Sequence, residues 1–352
     1  MSFKNNFFQT AYYKFLKFFP TPIFLNFSGT GIDFSTEGFR FVDFERDEKG
    51  FKLKKFGFQN ILEKDFLHSE QAFSFLKKIS DKKIKYVRVI VPEESSYLFI
   101  LPIEGDEASA RGEIEFHLEE NVPLLPSNTV FDFITFSEDG KKIAVVTALS
   151  QDTVSTYVDF FEKNNIKPIS FIPESHALAK DLIKNDEKGV VLIAHISKNK
   201  TVIAVAKNRI IRFSSAIKFG GEMITEAIAK YCQIPLDQAE IIKNEKGFSM
   251  KEENHDCFLA LGNSISAIRD EIERVIIYWQ THDEKNGVIE KIIISGSNAN
   301  MPGLVEHLSE SLRIKTEKGD VWSNFPRYKD EVPEIPFGDS LSYAALLGIF
   351  SE

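Results

Sequence analysis

Each half of this chain opens with the same device: short strands joined by tight polar turns, then helices. Residues 23–58 alternate apolar and polar side chains, with turn signals at Ser28-Gly29-Thr30-Gly31, Glu37-Gly38 and Asp47–Gly50. Residues 190–214, "VVLIAHISKNKTVIAVAKNRIIRFS", read as two strands around one short polar loop. A strand-first plan used twice limits the chain to an α/β architecture of two related sheets with helices packed on them. The repeat is architectural, because residue identity between the halves is low.

The stretches between these devices read as follows. A helix is expected at 69–80 and a buried strand at 85–93. "EGDEASARGEIEFHLEENVPLLP" places Ala110, Ile114 and Leu118 on one helical face, and a hairpin follows, turned at Asp139-Gly140. "DTVSTYVDFFEKNN" is a helix with Val154, Val158 and Phe161 inward, and "IKPISFIP" is a strand. Residues 105–172 thus hold enough elements for a small inserted subdomain. In the second half, "GGEMITEAIAKYCQIP" is a helix with Ile224, Ala227, Ile228 and Tyr231 on one side, and Pro235 opens a short helix after it. A helix over roughly 259–281 turns Ile265, Ile268, Ile272, Val275, Ile276 and Trp279 inward. "KIIISGSNANMPGLVEHLSESL" is a buried strand, a polar loop and a helix, and "SLSYAALLGIF" closes the chain as a helix.

Composition narrows the function. The chain has 352 residues, 43% hydrophobic and 27% charged, which suits about two folded domains. A net charge of -9 argues against nucleic acid as the main partner, since phosphate binding needs a basic surface. The two cysteines, Cys232 and Cys257, are too few for a disulfide framework and fit a reducing compartment; no Cys/His set has zinc spacing. No apolar run is long enough to span a bilayer, and no secretory signal is expected.

The first 20 residues, "MSFKNNFFQTAYYKFLKFFP", carry six Phe, two Tyr and three Lys and no acid. On a helix, Phe7, Phe8, Ala11, Tyr12, Phe15, Phe18 and Phe19 share one face, with Asn6, Thr10, Lys14 and Lys17 opposite, until Pro20 ends it. Two readings stand: an interfacial membrane anchor, with residues 3–19 in contact with lipid, or a segment docked on protein.

Four motifs carry candidate chemistry. In "GIDFSTEG" (31–38), Asp33 offers a carboxylate for a metal-bound water, and the backbone of Ser35 and Thr36 offers phosphate donors; the plain alternative is an Asp that forms a turn. A strand–turn–strand cradles phosphates when its turn holds Gly and an acid, but the 190–214 turn holds His195, Ser197, Lys198 and Asn199. His195 reads as a loop or strand side chain with an ordinary hydrogen bond. In "IISGSNANMPGL", Gly296 ends a strand where a ligand can lie on the backbone, or simply starts a flexible strand–helix loop. In "AEIIK", Glu240 and Lys243 share a helix face, suited to a ribose hydroxyl and a base or phosphate, or to a solvated ion pair worth about 0.3 kcal/mol.

Taken in order, these pieces resemble the actin-like ATPase fold shared with sugar kinases, and within it the PilM family of type IV pilus assembly proteins and its relative FtsA. The resemblance runs over about 21–350. It is carried by "EFHLEENVPLLPSNTVFDF", "VVTALSQDTVSTYVDFFEKNNIKPISFIPESHALA", "GGEMITEAIA", "AEIIK", "MPGLVEHLSESL" and "SYAALLGI". It implies two duplicated actin-like domains, 21–104 with 173–188 and then 189–352, and a PilM/FtsA-type (SHS2) insertion at 105–172. It also implies a nucleotide cleft formed by Asp33, Ser35, Thr36, His195, Ser197, Gly220, Gly221, Glu240, Lys243, Gly296 and Ser297. Ser35 stands where the family has Gly, His195 and Ser197 where it has Asp and Gly, and Ser297 where it has a second Gly. The base and ribose side is therefore retained and the phosphate and metal side eroded. Asp33 remains as a weak metal ligand.

The function this implies is a cytoplasmic scaffold at the inner face of the cell membrane. Residues 105–172 would grip the cytoplasmic tail of a PilN-like membrane protein, and the pilus ATPases are further partners. ATP or ADP would bind weakly, and Mg²⁺ would be poorly held. The alternative is an FtsA-like membrane-associated ATPase that hydrolyses ATP and forms filaments; a sugar-kinase-like phosphotransferase is a third, without a catalytic acid in the cleft.

Overall fold

The computed structural model describes residues 29–35, 38–60, 70–80, 84–105, 107–249, 255–282 and 287–351. The expected N-terminal amphipathic helix and Thr36 lie outside them. The first lobe contains β1 (Gly29–Ser35), β2 (Gly38–Asp47), β3 (Gly50–Gln59), α1 (Glu70–Ser80) and β4 (Tyr86–Val91). A three-stranded unit follows: β5 (Ser96–Ile103), α2 (Glu107–Asn121), β6 (Thr129–Glu138) and β7 (Lys141–Ser150). The chain then returns through α3 (Gln151–Glu162), β8 (Lys167–Pro173) and α4 (Glu174–Leu182). The second lobe holds β9 (Val190–Ile196), β10 (Thr201–Lys207), β11 (Ile210–Ile217), α5 (Gly221–Cys232), α6 (Leu236–Glu245), α7 (His255–His282), β12 (Ile289–Ser295), α8 (Leu304–Leu312), β13 (Thr316–Lys318), α9 (Phe337–Ser340) and α10 (Ala344–Gly348).

The duplication holds at the level of topology. The strand orders are β3-β2-β1-β4-β8 and β11-β10-β9-β12-β13, with an antiparallel meander on one side and parallel additions on the other in both. β9, "VVLIAHI", is buried at every residue, as a central strand covered on both faces must be. β2 is buried on both faces along its first half: Val42 and Phe44 face one cluster, and Phe39, on the opposite face, packs with Ile32 and Phe34 in another. One hydrophobic core joins the two lobes: Val42, Phe44 and Ile90 pack in the same cluster as Leu192, Ile193 and Ile294. α4 and α10 meet within it so closely that Gly348 lies against the Ala177 carbonyl, where a Cβ would come within 1.9 Å. Among the described residues no helix is long and apolar enough to cross a membrane.

The three-stranded sheet, order β5-β7-β6, has its own core of Phe99, Ile103, Ala110, Ile114, Leu118, Val146 and Ala148. It covers 96–150, whereas the insertion expected from sequence ran over 105–172: β5 belongs to this sheet, and β8 pairs with β4 of the first lobe. At the Asp139-Gly140 turn both residues have positive φ, 50° and 76°, the geometry that matches strand twist.

Three local expectations change. Residues 201–217 form two strands rather than one, because Asn208 and Arg209 take left-handed φ of 53° and 67° without a glycine to signal it. Arg209 is held by the Asn185 side chain and the Lys180 carbonyl. In α3, Tyr157, Phe160 and Phe161 are the buried residues, and Val154 and Val158 sit at the margin; in α5, Tyr231 is exposed. Cys232 is disulfide-bonded, a cross-link the sequence argument had set aside. It ends α5, which packs along α7.

Candidate functional site

The β9–β10 turn closes through Ser197 N donating to the Lys200 carbonyl at 2.9 Å. Its outward carbonyls are already engaged. Gly221 N donates to Ser197 O at 3.0 Å and Glu222 N to Lys198 O at 2.8 Å, so the turn caps α5. Asn298 adds a third clasp: its Nδ2 donates to Ser197 O at 3.0 Å, and its backbone N donates to Ile196 O at 3.1 Å. The approach is too tight for side chains. A Cβ at Gly220 would lie 2.5 Å from two carbonyls, and one at Gly296, where φ is 96°, would lie 2.4 Å from Ile196 O.

His195 is buried at the end of β9, its Nδ1 hydrogen-bonded to Ser295 Oγ at 2.8 Å. This matches its reading as a strand residue with an ordinary partner. On α6, Lys243 Nζ is buried and donates to Glu240 Oε2 at 2.8 Å, Thr225 Oγ1 at 3.0 Å and Gly221 O at 3.2 Å. Burial opposes ionisation of Glu240, but the Lys243 and Thr225 hydrogen bonds outweigh it and hold its pKa below the ordinary range. The pair is therefore an internal tie between α6 and α5 and not the solvated ion pair of the sequence alternative. Ser297 is exposed, and its Oγ accepts from Asn298 Nδ2 at 3.2 Å.

The structure thus gathers His195, Ser197, Gly220, Gly221, Glu240, Lys243, Gly296 and Ser297 around one corner of the second lobe. Asp33 is on β1 of the first lobe, opposite Arg40 and Ile90. Its field reaches the buried Tyr157 hydroxyl, as do those of Lys200 and Glu94. Ser35 ends β1.

Sequence reading missed the residues that join the two lobes here. Lys200 is 4% exposed, and its Nζ donates to Glu174 Oε2 at 2.8 Å and to Glu94 Oε2 at 2.9 Å. Burial disfavours the ammonium, yet the two carboxylates reverse that and raise its pKa. Glu174 is likewise held low against its burial, by Lys200 and His195. Beneath them Glu93 accepts from Ser175 N at 2.8 Å and from Ser175 Oγ at 3.0 Å, and burial raises its pKa. The only sequence signal was a second lysine in the "SKNK" turn.

These residues do not fit a metal–triphosphate group. The N–H groups that begin α5 are the donors an anion would use, and two of them are taken by carbonyls. The β9–β10 turn presents an ammonium to the cleft and no acid. Among the described residues no set of three or more His, Cys, Asp or Glu has metal-holding geometry. The Glu240 carboxylate is half exposed and Ser297 is exposed.

A second feature lies between the three-stranded unit and the second lobe. β5 and β11 are both sheet edges, and they face each other across a groove of about 590 Å³ lined by Ser96–Ile100 and Arg212–Ala216. The groove is pinned at one end where Glu93 meets Ser214, and at the other where Glu138 holds Lys207 (2.9 Å) and Arg212 (3.2 Å).

Comparison with known proteins is consistent with this architecture. The PilM–PilN type IV pilus biogenesis complex superposes with a TM-score of 0.69 at 16% identity, over 92% of this chain and 99% of that one. MreB5 of Spiroplasma citri bound to ADP gives 0.54 at 13% identity, over 91% and 94%. The cell division protein FtsA of Neisseria meningitidis serogroup B (strain ATCC BAA-335 / MC58) is 31% identical over 107 residues, 30% of this chain and only 26% of FtsA. The fold is actin-like, and since the model of the type IV pilus assembly protein PilM matches residues 31–335, the chain belongs to the PilM family.

Proposed function

We propose that this protein is a cytoplasmic scaffold of a type IV pilus assembly machine that holds the cytoplasmic tail of a PilN-like inner-membrane protein. The observation that carries this is the groove between the β5 and β11 edges. Each edge pairs with a single strand, β7 and β10 respectively, so each offers a ladder to an added strand. Leu98, Phe213 and Tyr278 supply apolar side-chain seats, and among the described residues Arg212 Nε has no hydrogen-bond partner. At about 3.3 Å per residue, a tail of about five residues spans the lined stretch. The fold of the PilM–PilN complex supports the partner class. The walls of this groove, Ser96–Ile100 and Arg212–Ala216, lie outside the insertion expected at 105–172, of which Asn121 alone lines it. A second groove of about 450 Å³, between Arg111, Glu115 and Leu118 of α2 and Thr129–Phe131 of β6, lies wholly within 105–172.

In this reading any ATP or ADP is held by ribose and base contacts, without a metal, and the capped phosphate side argues for binding over hydrolysis. Pilus ATPases are further partners, and residues 3–19 supply a lipid contact at the inner face of the membrane. Liposome flotation of the full chain against a chain lacking 1–19 tests the last point; equal flotation removes it.

The groove is tested by fluorescence anisotropy with the cytoplasmic N-terminal tail of a PilN-like single-span membrane protein. Ser215→Arg fills the groove and Ile100→Glu places a charge on its edge. Each should weaken binding about tenfold or more, close to 1.4 kcal/mol. Unchanged binding in both, with loss in Val130→Arg, moves the tail to the α2–β6 groove; unchanged binding in all three overturns the proposal.

A further inference from the structure

The carboxylates of Glu94 and Glu174 belong to the first lobe, one in the turn before β5 and the other at the start of α4. Lys200 belongs to the β9–β10 turn of the second lobe. Its ammonium lies 2.9 and 2.8 Å from one oxygen of each, and His195 Nε2 lies 3.9 Å from the other oxygen of Glu174. Glu174 and Lys200 are both nearly sealed from solvent. Glu94 is open to solvent, but Glu174 is buried, and a buried carboxylate beside a second acid needs a cation because an unpaired buried charge is costly. In a cleft that takes up a metal ion, that cation comes and goes with the ligand. Here it is covalently part of the chain.

We propose that Lys200 is the resident cation of the interlobe cleft, its ammonium standing where a dissociable metal ion would bridge the lobes, so that they are held at one closure whether or not nucleotide or metal is present. Three consequences follow from the contacts. The clamp ties the same turn that caps α5, so α5 is held to the first lobe through Ser197, Lys198 and Lys200. The acids that would attract a divalent ion are already neutralised, so such an ion gains nothing by entering. The geometry of the nearby β5–β11 groove, which begins at Glu93 beside Glu94, is set without a ligand. The inference stands on the cleft contacts and is independent of what occupies that groove.

Hydrogen exchange read by mass spectrometry tests it on the full chain. In the wild type, amides of 197–201 and 174–176 should exchange slowly and at the same rate in EDTA, in Mg²⁺ and in Mg²⁺ with ATP. Exchange that slows on adding Mg²⁺ or Mg²⁺ with ATP overturns the proposal. Lys200→Met should speed both segments while leaving β7 and α2 unchanged; a wild-type rate in both segments overturns it. Lys200→Ala leaves two carboxylates facing a void, and Mn²⁺ should slow exchange there again; no effect of Mn²⁺ shows that the ammonium does not stand in for a metal. Should the single variants fail to fold, Lys200→Met combined with Glu94→Gln and Glu174→Gln decides. A folded triple variant with fast exchange in both segments supports the clamp, and one as slow as the wild type refutes it.

Discussion

Lys243 Nζ lies 2.8 Å from Glu240 Oε2 with only 3% of the lysine side chain exposed, and the same nitrogen reaches the first carbonyl of α5. A lysine so placed is committed to the protein's own helices. Lys243→Ala should therefore cost stability before it costs any ligand, because it removes a buried donor shared by Glu240, Thr225 and the Gly221 carbonyl. The expected loss is roughly 1–3 kcal/mol by chemical denaturation. A variant of wild-type stability with impaired nucleotide binding would instead restore the ligand role.

Asp in place of His195 tests whether the lost acid can be put back. His195 is hydrogen-bonded to Ser295, and Glu174 lies 3.9 Å from its far nitrogen. His195→Asp, even with Ser197→Gly, sets a second carboxylate beside Glu174 and competes for Lys200. The double variant should melt below the wild type and show no gain in Mg²⁺ affinity by calorimetry. A stable variant with a new Mg²⁺ site would mean that the turn retains the metal geometry.

The duplicated plan was legible because it is written in local pattern: β9 is a near-continuous apolar run, β12 carries Ile292–Ile294, and α7 repeats Ile265, Ile268, Ile272 and Val275 at helical spacing. The base-side residues were legible as identities but not as contacts. Nothing in "AEIIK" says that Lys243 turns inward to Gly221, since that depends on how α6 meets α5. Lys200 was opaque for the same reason, its partners being 26 and 106 residues away. The β10–β11 turn was hidden because an Asn-Arg pair in left-handed conformation is stabilised by distant partners, not by its own chemistry.

His176 supplies a pH dependence. It is partly buried beside Thr147, with Nε2 and Oγ1 3.2 Å apart, and beside Ser175, at 3.4 Å from Nδ1. Burial pushes its pKa down to about 4. Between the ordinary value of about 6.5 and that value, the unfolded chain binds a proton that the folded chain does not. Stability should therefore be complete above about pH 6.5 and fall as pH drops toward 4, by about 3 kcal/mol in all. Burial lowers His307 in the same direction, so the measurement is the difference between wild type and His176→Gln across pH 7 to 4.5. Parallel curves for the two proteins would show that His176 carries none of the slope.

Nucleotide turnover should be absent even if adenine nucleotide binds. Catalysis of phosphoryl transfer rests on fixing Mg²⁺ and charge around the phosphates. In this chain the first N–H groups of α5 are spent on Ser197 and Lys198, and the cleft floor carries Lys200 with its two acids satisfied. Asp33 stands on β1 of the first lobe, opposite Arg40 on the neighbouring strand. The phosphates of ATP would meet few donors and no fixed metal, while Glu240 and Ser297 keep the ribose and base edge. Calorimetry should accordingly show ATP, ADP and adenosine binding within about tenfold of one another, with little change on adding Mg²⁺. Phosphate release by the wild type should not exceed that of Asp33→Ala. Mg²⁺-dependent turnover that Asp33→Ala abolishes would make the cleft catalytic and bring the filament-forming ATPase reading to the front.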